Sequence, residues 1–478
     1  MQGRLFMTTF TFLWLVGGTL LQGGESLRTF TDTRGREIEA RFLRASQEAV
    51  VVETKQGKEF TIPLAKLSQS DIDYVSKILA QAKALNESIG QPLFDDTGSS
   101  LWESDPKAVA KRLAWRLESE TSRLISFRRY PETDYRFLNA RPYSVALQGS
   151  EGKVDVISIV FANKGDLFGA SGSAEAHFDR DEPVPSNHEE LLRQAIANDL
   201  ARVNEALTKI AGPAAIQTLG EGAAQRKAHR WDWRGHAFLV TVDEQYVGLR
   251  ILPVEVADGG GKTARVPDSE VRKRIRANVT KRPNGDVVIK NIPMVHQGPK
   301  GYCVPATFER SLRYLDVPAD MYLLAIAGNT SADGMTYTTP LINAIKRDVK
   351  RKGRRFELIS KGNFKLSKLA RILNEGTPII WGLYSTPTFN ETANTRTAAR
   401  RKVSDWSAWK QRTKAFAAKA DNVPVPTTNL HVAIIIGYNK KTGEIAFSDS
   451  WGPEYQERWL TFEEVLHHSQ DSHYVIRL

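Results

Sequence analysis

The 478 residues include 66 Lys+Arg against 55 Asp+Glu, a net charge of +11, with 41% apolar residues, 25% charged residues and one cysteine. At roughly 150 residues per domain the length predicts about three domains, each able to bury a core without a metal or disulfide staple. The apolar and charged fractions exclude a disordered or fibrous chain, and the lone cysteine excludes an intramolecular disulfide, a zinc ribbon, Cys-x-x-Cys redox chemistry and an iron–sulfur cluster.

Arg4 precedes an apolar stretch, Leu5 to Leu21, that carries no charged residue, and Gly-Gly-Glu-Ser follows at 23 to 26. This pattern predicts a secretory signal over residues 1–24, or an uncleaved anchor, and an exported protein in either case: periplasmic, extracellular or cell-surface. Contact with a membrane is expected only through an uncleaved segment. An unpaired cysteine in an oxidising compartment calls for a reason. The charge is uneven: from Gly261 to the end there are 35 Lys+Arg and 20 Asp+Glu. The change falls at the glycine run Gly259–Gly261, which marks a domain boundary. With no nucleic-acid motif beside it, the surplus reads as a solvated basic face, and no nucleic acid partner is expected.

Short β-rich runs separated by turns open the exported body: Arg28–Thr31, Glu37–Leu43, Ala49–Glu53 and Phe60–Leu64, with turns at Thr33-Arg34-Gly35 and Gln56-Gly57-Lys58. They predict a compact barrel. A helix is expected from Ser68, with Asp71 in its first turn and Ile72, Val75, Ile78 and Leu79 at helical spacing. The stretches Arg28–Gly35, Gly57–Leu64 and Lys66-Leu-Ser68 leading to Asp71 and Tyr74-Val75 resemble the Sla-homology module, a small SH3-like barrel, here over residues 26–80. The resemblance implies a protein or peptide ligand for this module.

Residues 98–256 predict a second, α+β module. A helix should start at Ser104-Asp105-Pro106 and bury Val109, Leu113, Ala114 and Leu117. Strands are expected at Tyr143–Leu147, Val154–Ala162, His236–Val242 and Tyr246–Leu252, with a helix from Asn187 to Ala211 between them. Several near-motifs are set aside. His188-Glu189-Glu190 lacks the second His of a zinc-protease helix. Gly165, Gly169 and Gly172 have no following Gly-Lys-Ser/Thr, and Asp179, Asp181 and Glu182 lack the remaining ligands of a calcium loop. Trp231 and Trp233 alternate in a strand and are expected to pack on one face. Residues 257–285 read as a linker.

The last module, 286–478, contains the cysteine. Gln297 to Tyr302 holds two Gly and a Pro and reads as a loop, and helical spacing begins near Pro305, so Cys303 sits at a helix N-terminus that favours a thiolate. His431 leads into the buried-strand run Val-Ala-Ile-Ile-Ile-Gly437-Tyr438. The next strand, Glu444–Ser448, ends in Asp449-Ser450-Trp451-Gly452, which offers a carboxylate to orient the ring. Gln297 and the Cys303 N–H are placed to form an oxyanion hole. This order resembles a papain-like cysteine peptidase, and more narrowly the branch that includes the bacteriocin-leader-processing, double-glycine peptidases, over about residues 290 to 478.

That resemblance implies Gln297 as oxyanion donor, Cys303 as nucleophile and His431 as general base and then acid. It implies Asp449 as orienter, where papain has Asn, and Trp451 as a shield over the His–Asp bond, with Tyr302 beside the nucleophile in the same supporting role. The expectation is therefore an α+β multidomain chain: an SH3-like barrel, an α+β middle domain and a C-terminal papain-like domain. Its function is expected to be peptide or amide hydrolysis of a peptide or protein substrate, without cofactor or metal. His296 competes weakly as the base, having no evident orienter, and His467, His468 and His473 read as surface or packing residues. An insertion over Ser385–Asn429 predicts a basic helical excursion, either a lid or substrate-selecting wall at the cleft or an edge decoration packing Trp406 and Trp409. The alternatives are a transglutaminase-like acyl transferase using the same three residues, or a catalytically silent binding protein on the same fold.

Overall fold

The computed structural model describes residues 27–168, 183–420 and 427–478. The Leu5–Leu21 stretch, Gly169, Gly172, Asp179, Asp181, Glu182 and residues 423–426 lie outside the described residues. The chain mixes helix and strand in several modules, and three antiparallel sheets organise what is described.

The first sheet is a meander of β1 (Arg28–Thr31), β2 (Glu37–Ala45), β3 (Ala49–Thr54) and β4 (Glu59–Pro63), paired in that order. Phe30, Phe42, Val50 and Val52 close a core with Leu67 and with Val75 and Ile78 of helix α1 (Gln69–Ile89). The helix begins where its cap predicts: Ser68 accepts the Asp71 N–H. The buried Asp71 carboxylate then ties the helix to the sheet, receiving the Arg28 guanidinium at 2.6 Å and the Thr31 N–H at 2.7 Å.

In the middle module, helix α2 (Pro106–Arg112) is capped by Asp105, while Ser104 donates its hydroxyl to the Ser100 carbonyl instead. The helix stops at Arg112 because Ala114 turns at φ 54°. Leu117, expected on its apolar face, is therefore an exposed strand residue. The sheet contains β5 (Arg116–Glu120), β6 (Leu124–Arg129), β7 (Ser144–Ser150) and β8 (Lys153–Asn163). After helix α3 (His188–Ala211) come β9 (Ala215–Leu219), β10 (Arg226–Trp233), β11 (His236–Asp243) and β12 (Tyr246–Pro253). Their order is β5-β6-β7-β8-β12-β11-β10-β9, with α3 packed against β8, β10, β11 and β12. Trp231 and Trp233 are buried, and Trp233 meets Phe94 edge-on at 4.8 Å, a packing contact.

Residues 257–285 are not a bare linker. After α4 (Val254–Asp258), helix α5 (Asp268–Ala277) sends Val271 and Ile275, one turn apart, into the C-terminal core, and β13 (Val279–Lys281) pairs with β14 (Asp286–Ile289). The third sheet runs β13-β14-β17-β16-β20-β15, from β15 (Arg355–Ser360), β16 (Ile379–Tyr384), β17 (Leu430–Asn439) and β20 (Ser469–Arg477). On the other side of β17 lie β18 (Glu444–Ser448) and β19 (Arg458–Thr461). Helix α6 (Cys303–Tyr314) packs on β17, followed by α7 (Met321–Ala327), α8 (Thr338–Arg351) and α9 (Leu366–Asn374).

The insertion forms α10 (Pro387–Arg400) and α11 (Trp406–Ala417), which pack against the β18–β19 edge, and α12 (Phe462–His467) follows β19. Arg400 explains the docking: its guanidinium is buried, pairing with Asp286 at 2.6 Å and Glu444 at 3.0 Å. Trp409 donates its indole N–H to the same Glu444, and Arg396 binds Glu464 with two nitrogens. Among the described residues, no helix is long and apolar enough to cross a membrane.

Candidate active site

Three elements bring the site together. Cys303 is the first residue of α6, and Pro305, which lacks an N–H, falls in the first turn, where none is needed. Thr307, one turn along the helix, donates its hydroxyl to the Val432 carbonyl at 3.0 Å, which pins α6 to β17 beside His431. In the β17–β18 ladder Ser448 pairs with Ile434. Asp449 thus leaves β18 at the end of β17 where His431 sits. Cys303, His431 and Asp449 are all buried.

His431 Nε2 lies 2.9 Å from Asp449 Oδ1, and Cys303 acts electrostatically on the same ring. Because Nε2 is engaged by the carboxylate, Nδ1 is the nitrogen left for the thiol. Burial works against a charged ring, but Asp449 and Cys303 outweigh it and raise the His431 pKa to about 9. Burial likewise pushes the Asp449 carboxyl up, yet the Arg458 guanidinium and His431 hold it below the usual carboxylate range. Trp451 lies flat on the His431 ring, centroids 4.7 Å apart and planes 27° apart, and is fully buried. It covers the imidazole from water.

Gln297 is buried in the loop before α6. Its backbone N–H donates to the Ser450 carbonyl at 2.8 Å. Its side-chain oxygen accepts the Ser450 hydroxyl at 2.7 Å, and Nε2 donates to the Lys300 carbonyl at 2.9 Å. An amide nitrogen has two hydrogens, so this clamp orients the group and uses one of them. The Cys303 N–H belongs to the first helical residue and has no carbonyl within the helix to receive it.

Tyr302 takes a different role from the one expected. It does not cover the His431–Asp449 pair. Its hydroxyl donates to Asn163 Oδ1 at 2.9 Å, and its ring packs with Val160, Tyr246 and Tyr322 at the boundary with the middle module. His296 takes up a backbone role, its Nδ1 accepting the Gly298 N–H. His473 is buried against the Phe364 ring, centroids 4.4 Å apart, and His468 donates from Nδ1 to the Tyr384 carbonyl. Among the described residues, no cluster of three or more His, Cys, Asp or Glu is placed to hold a metal ion.

Two arginines go beyond the residues legible in the sequence. Arg458 reaches Asp449 Oδ2 through Nη2 at 2.6 Å and Nε at 3.0 Å, and its guanidinium also donates to Asn390 and Asn394 of α10. Arg310 of α6 is fully buried and donates to the Asp449 carbonyl at 2.8 Å and the Pro293 carbonyl at 3.0 Å. The only signal for Arg458 is a charged residue in a short strand whose other members are apolar or Thr. Arg310 sits on a helix face indistinguishable in sequence from an exposed one.

Residues 289–472 match the Peptidase_C39 like family. Residues 24–83 match SLA1 homology domain 1, SHD1. No curated protein matches the chain. The C-terminal module has a cysteine peptidase fold, and the N-terminal meander with its helix is the part matched by SHD1.

Proposed function

We propose that the chain is an exported cysteine-type peptidase that hydrolyses peptide or amide bonds with Cys303, His431 and Asp449. The observation that carries this reading is the His431 ring, bonded to Asp449 through Nε2 on β17, the strand to which Thr307 pins the helix that begins at Cys303. A buried imidazolium held by a carboxylate stabilises an adjacent thiolate, which is the attacking form.

In this reading the Cys303 sulfur bonds to the substrate carbonyl carbon and the carbonyl electron pair moves onto oxygen. The second Gln297 N–H and the Cys303 N–H receive that oxyanion. Collapse breaks the C–N bond, and the His431 proton passes to the departing amine. Water, deprotonated by His431, then attacks the thioester, releases the acid and restores the thiol. Asp449 keeps Nδ1 aimed at sulfur throughout, and Trp451 excludes water from the ion pair. Export rests on the charge-free Leu5–Leu21 stretch after Arg4. A protein or peptide is the proposed ligand of the N-terminal module.

The test is turnover of a peptide library by the full chain and by Cys303→Ala, together with Cys303 alkylation by iodoacetamide in wild type and His431→Ala. Turnover that vanishes in Cys303→Ala, with alkylation that slows in His431→Ala, supports the reading. Equal alkylation rates in both proteins, without turnover, would leave a binding protein on a peptidase fold.

A further inference from the structure

The segment that carries Gln297 toward Cys303 is held from two opposite sides. On one side is its own module: Gln297 N–H meets the Ser450 carbonyl, and the Gln297 side chain meets Ser450 and Lys300. On the other side every second residue is held by the middle module. The Met294 N–H donates to Ser119 Oγ at 2.9 Å, and the His296 N–H donates to Glu118 Oε1 at 2.8 Å. The His296 carbonyl accepts the Tyr130 hydroxyl. Gly298 (φ +78°) lies against the Tyr130 ring so closely that a Cβ there would be 2.6 Å from it. Lys300 Nζ donates to the Phe168 carbonyl at 2.9 Å, and Tyr302 donates to Asn163.

The alternation is that of an extended chain, whose successive N–H groups point to opposite sides. Residues 294 to 297 therefore behave as a strand between two partners, with β5 and Tyr130, which follows β6, supplying side chains from the middle module in place of one neighbouring strand. Those side chains are themselves fixed. Glu118 is buried, paired with Arg128 at 2.6 Å and bonded by the Ser126 hydroxyl at 2.9 Å. Burial would raise its carboxyl, but Arg128, the His296 N–H and Ser126 outweigh it and keep it ionised, a strong acceptor.

From this arrangement we infer that the middle module is the positioning half of the oxyanion loop, with Glu118 and Tyr130 as the residues that set where the Gln297 amide points. The inference rests on the peptidase reading above. It makes the C-terminal module dependent on residues some 170 positions upstream in the chain. Neither residue touches the thiol, the imidazole or Asp449, so their loss should impair oxyanion stabilisation while leaving the thiolate–imidazolium pair intact.

Tyr130→Phe keeps the ring against Gly298 and removes only the hydroxyl. In the full-length protein it should lower kcat about tenfold or more, since small misplacements of a catalytic group are costly, with KM within about twofold. Its iodoacetamide alkylation rate and melting temperature should match wild type. Glu118→Gln should lower kcat further at the wild-type alkylation rate, but with a reduced melting temperature because it strips the buried Arg128 of its partner, and Ser119→Ala replaces it should that change prevent folding. Wild-type kcat in folded Tyr130→Phe and Glu118→Gln would overturn the inference and leave the peptidase reading standing. So would a fall in kcat matched by equal losses in alkylation rate and melting temperature, the mark of a merely structural role. Failure of the peptidase reading itself would appear separately, as wild type without turnover.

Discussion

His431 and Arg458 share one carboxylate: Asp449 gives Oδ1 to the ring at 2.9 Å and Oδ2 to the guanidinium at 2.6 Å. With all three groups buried, neither oxygen is left to water, and the plane of the carboxylate is set by the arginine before the histidine uses it. Arg458 is in turn gripped by Asn390 and Asn394, so the insertion helix α10 contributes to the orientation of the histidine without approaching the thiol.

Arg458→Gln removes one partner of a buried ion pair and leaves the Asp449 charge partly uncompensated. Such a change costs about 3–5 kcal/mol. The C-terminal unfolding transition, followed by tryptophan fluorescence in urea, should shift accordingly. Arg458→Lys keeps the charge but loses the two-nitrogen grip and should show a smaller shift with impaired turnover. Unchanged unfolding in Arg458→Gln would contradict the shared carboxylate.

The pH dependence follows from His431, whose pKa is raised from 6.5 to about 9. A raised value means that the charged ring stabilises the fold fully below about pH 6.5 and that this contribution fades as pH rises through 9. The proposed mechanism needs the same proton on the ring. Both kcat/KM and the melting temperature of the C-terminal module should therefore fall across the range between about 7 and 10, with the midpoint of the rate profile near 9. A profile that turns down near neutrality would show that Asp449 does not support the ring charge.

Gln297→Ala removes the proposed side-chain oxyanion donor. Loss of one such donor costs roughly 10²–10³-fold in kcat, and KM should change little. Alkylation of Cys303 should proceed at the wild-type rate, because Gln297 does not touch the imidazole. A comparable loss in both measurements would mean that Gln297 builds the site and takes no part in the reaction.

Arg400→Ala leaves Asp286 and Glu444 buried without the cation that both accept. The expected cost is again about 3–5 kcal/mol, expressed locally as faster proteolysis within α10 and α11. Because α10 carries Asn390 and Asn394, turnover should fall with it. Proteolysis at the wild-type rate would show that the insertion is held by other contacts.

Elements set by local chemistry are legible in the amino-acid sequence alone. The strands Arg28–Thr31 and Glu444–Ser448 fall where the sequence pattern places them, and the Ser68 cap starts its helix as its hydroxyl predicts. The order of Gln297, Cys303, His431 and Asp449 along the chain is equally readable, because a cysteine at a helix start and a histidine and an aspartate at the ends of adjacent strands leave marks in spacing and residue type. Strand β5 leaves no such mark. Glu118 and Ser119 look like surface residues in Arg116–Glu120, yet they are buried where β6 and a segment from far along the chain meet them.

The same holds for Tyr302, Arg310 and Arg458. Tyr302 turns to Asn163 instead of the histidine because the middle module presents an acceptor there. The arginines are buried because folding closes carbonyls and carboxylates around them. Periodicity and caps are properties of neighbours along the chain, so one sequence reveals them. Which buried polar group meets which is settled by packing between elements far apart in sequence, where the cost of an unpaired charge selects the partner.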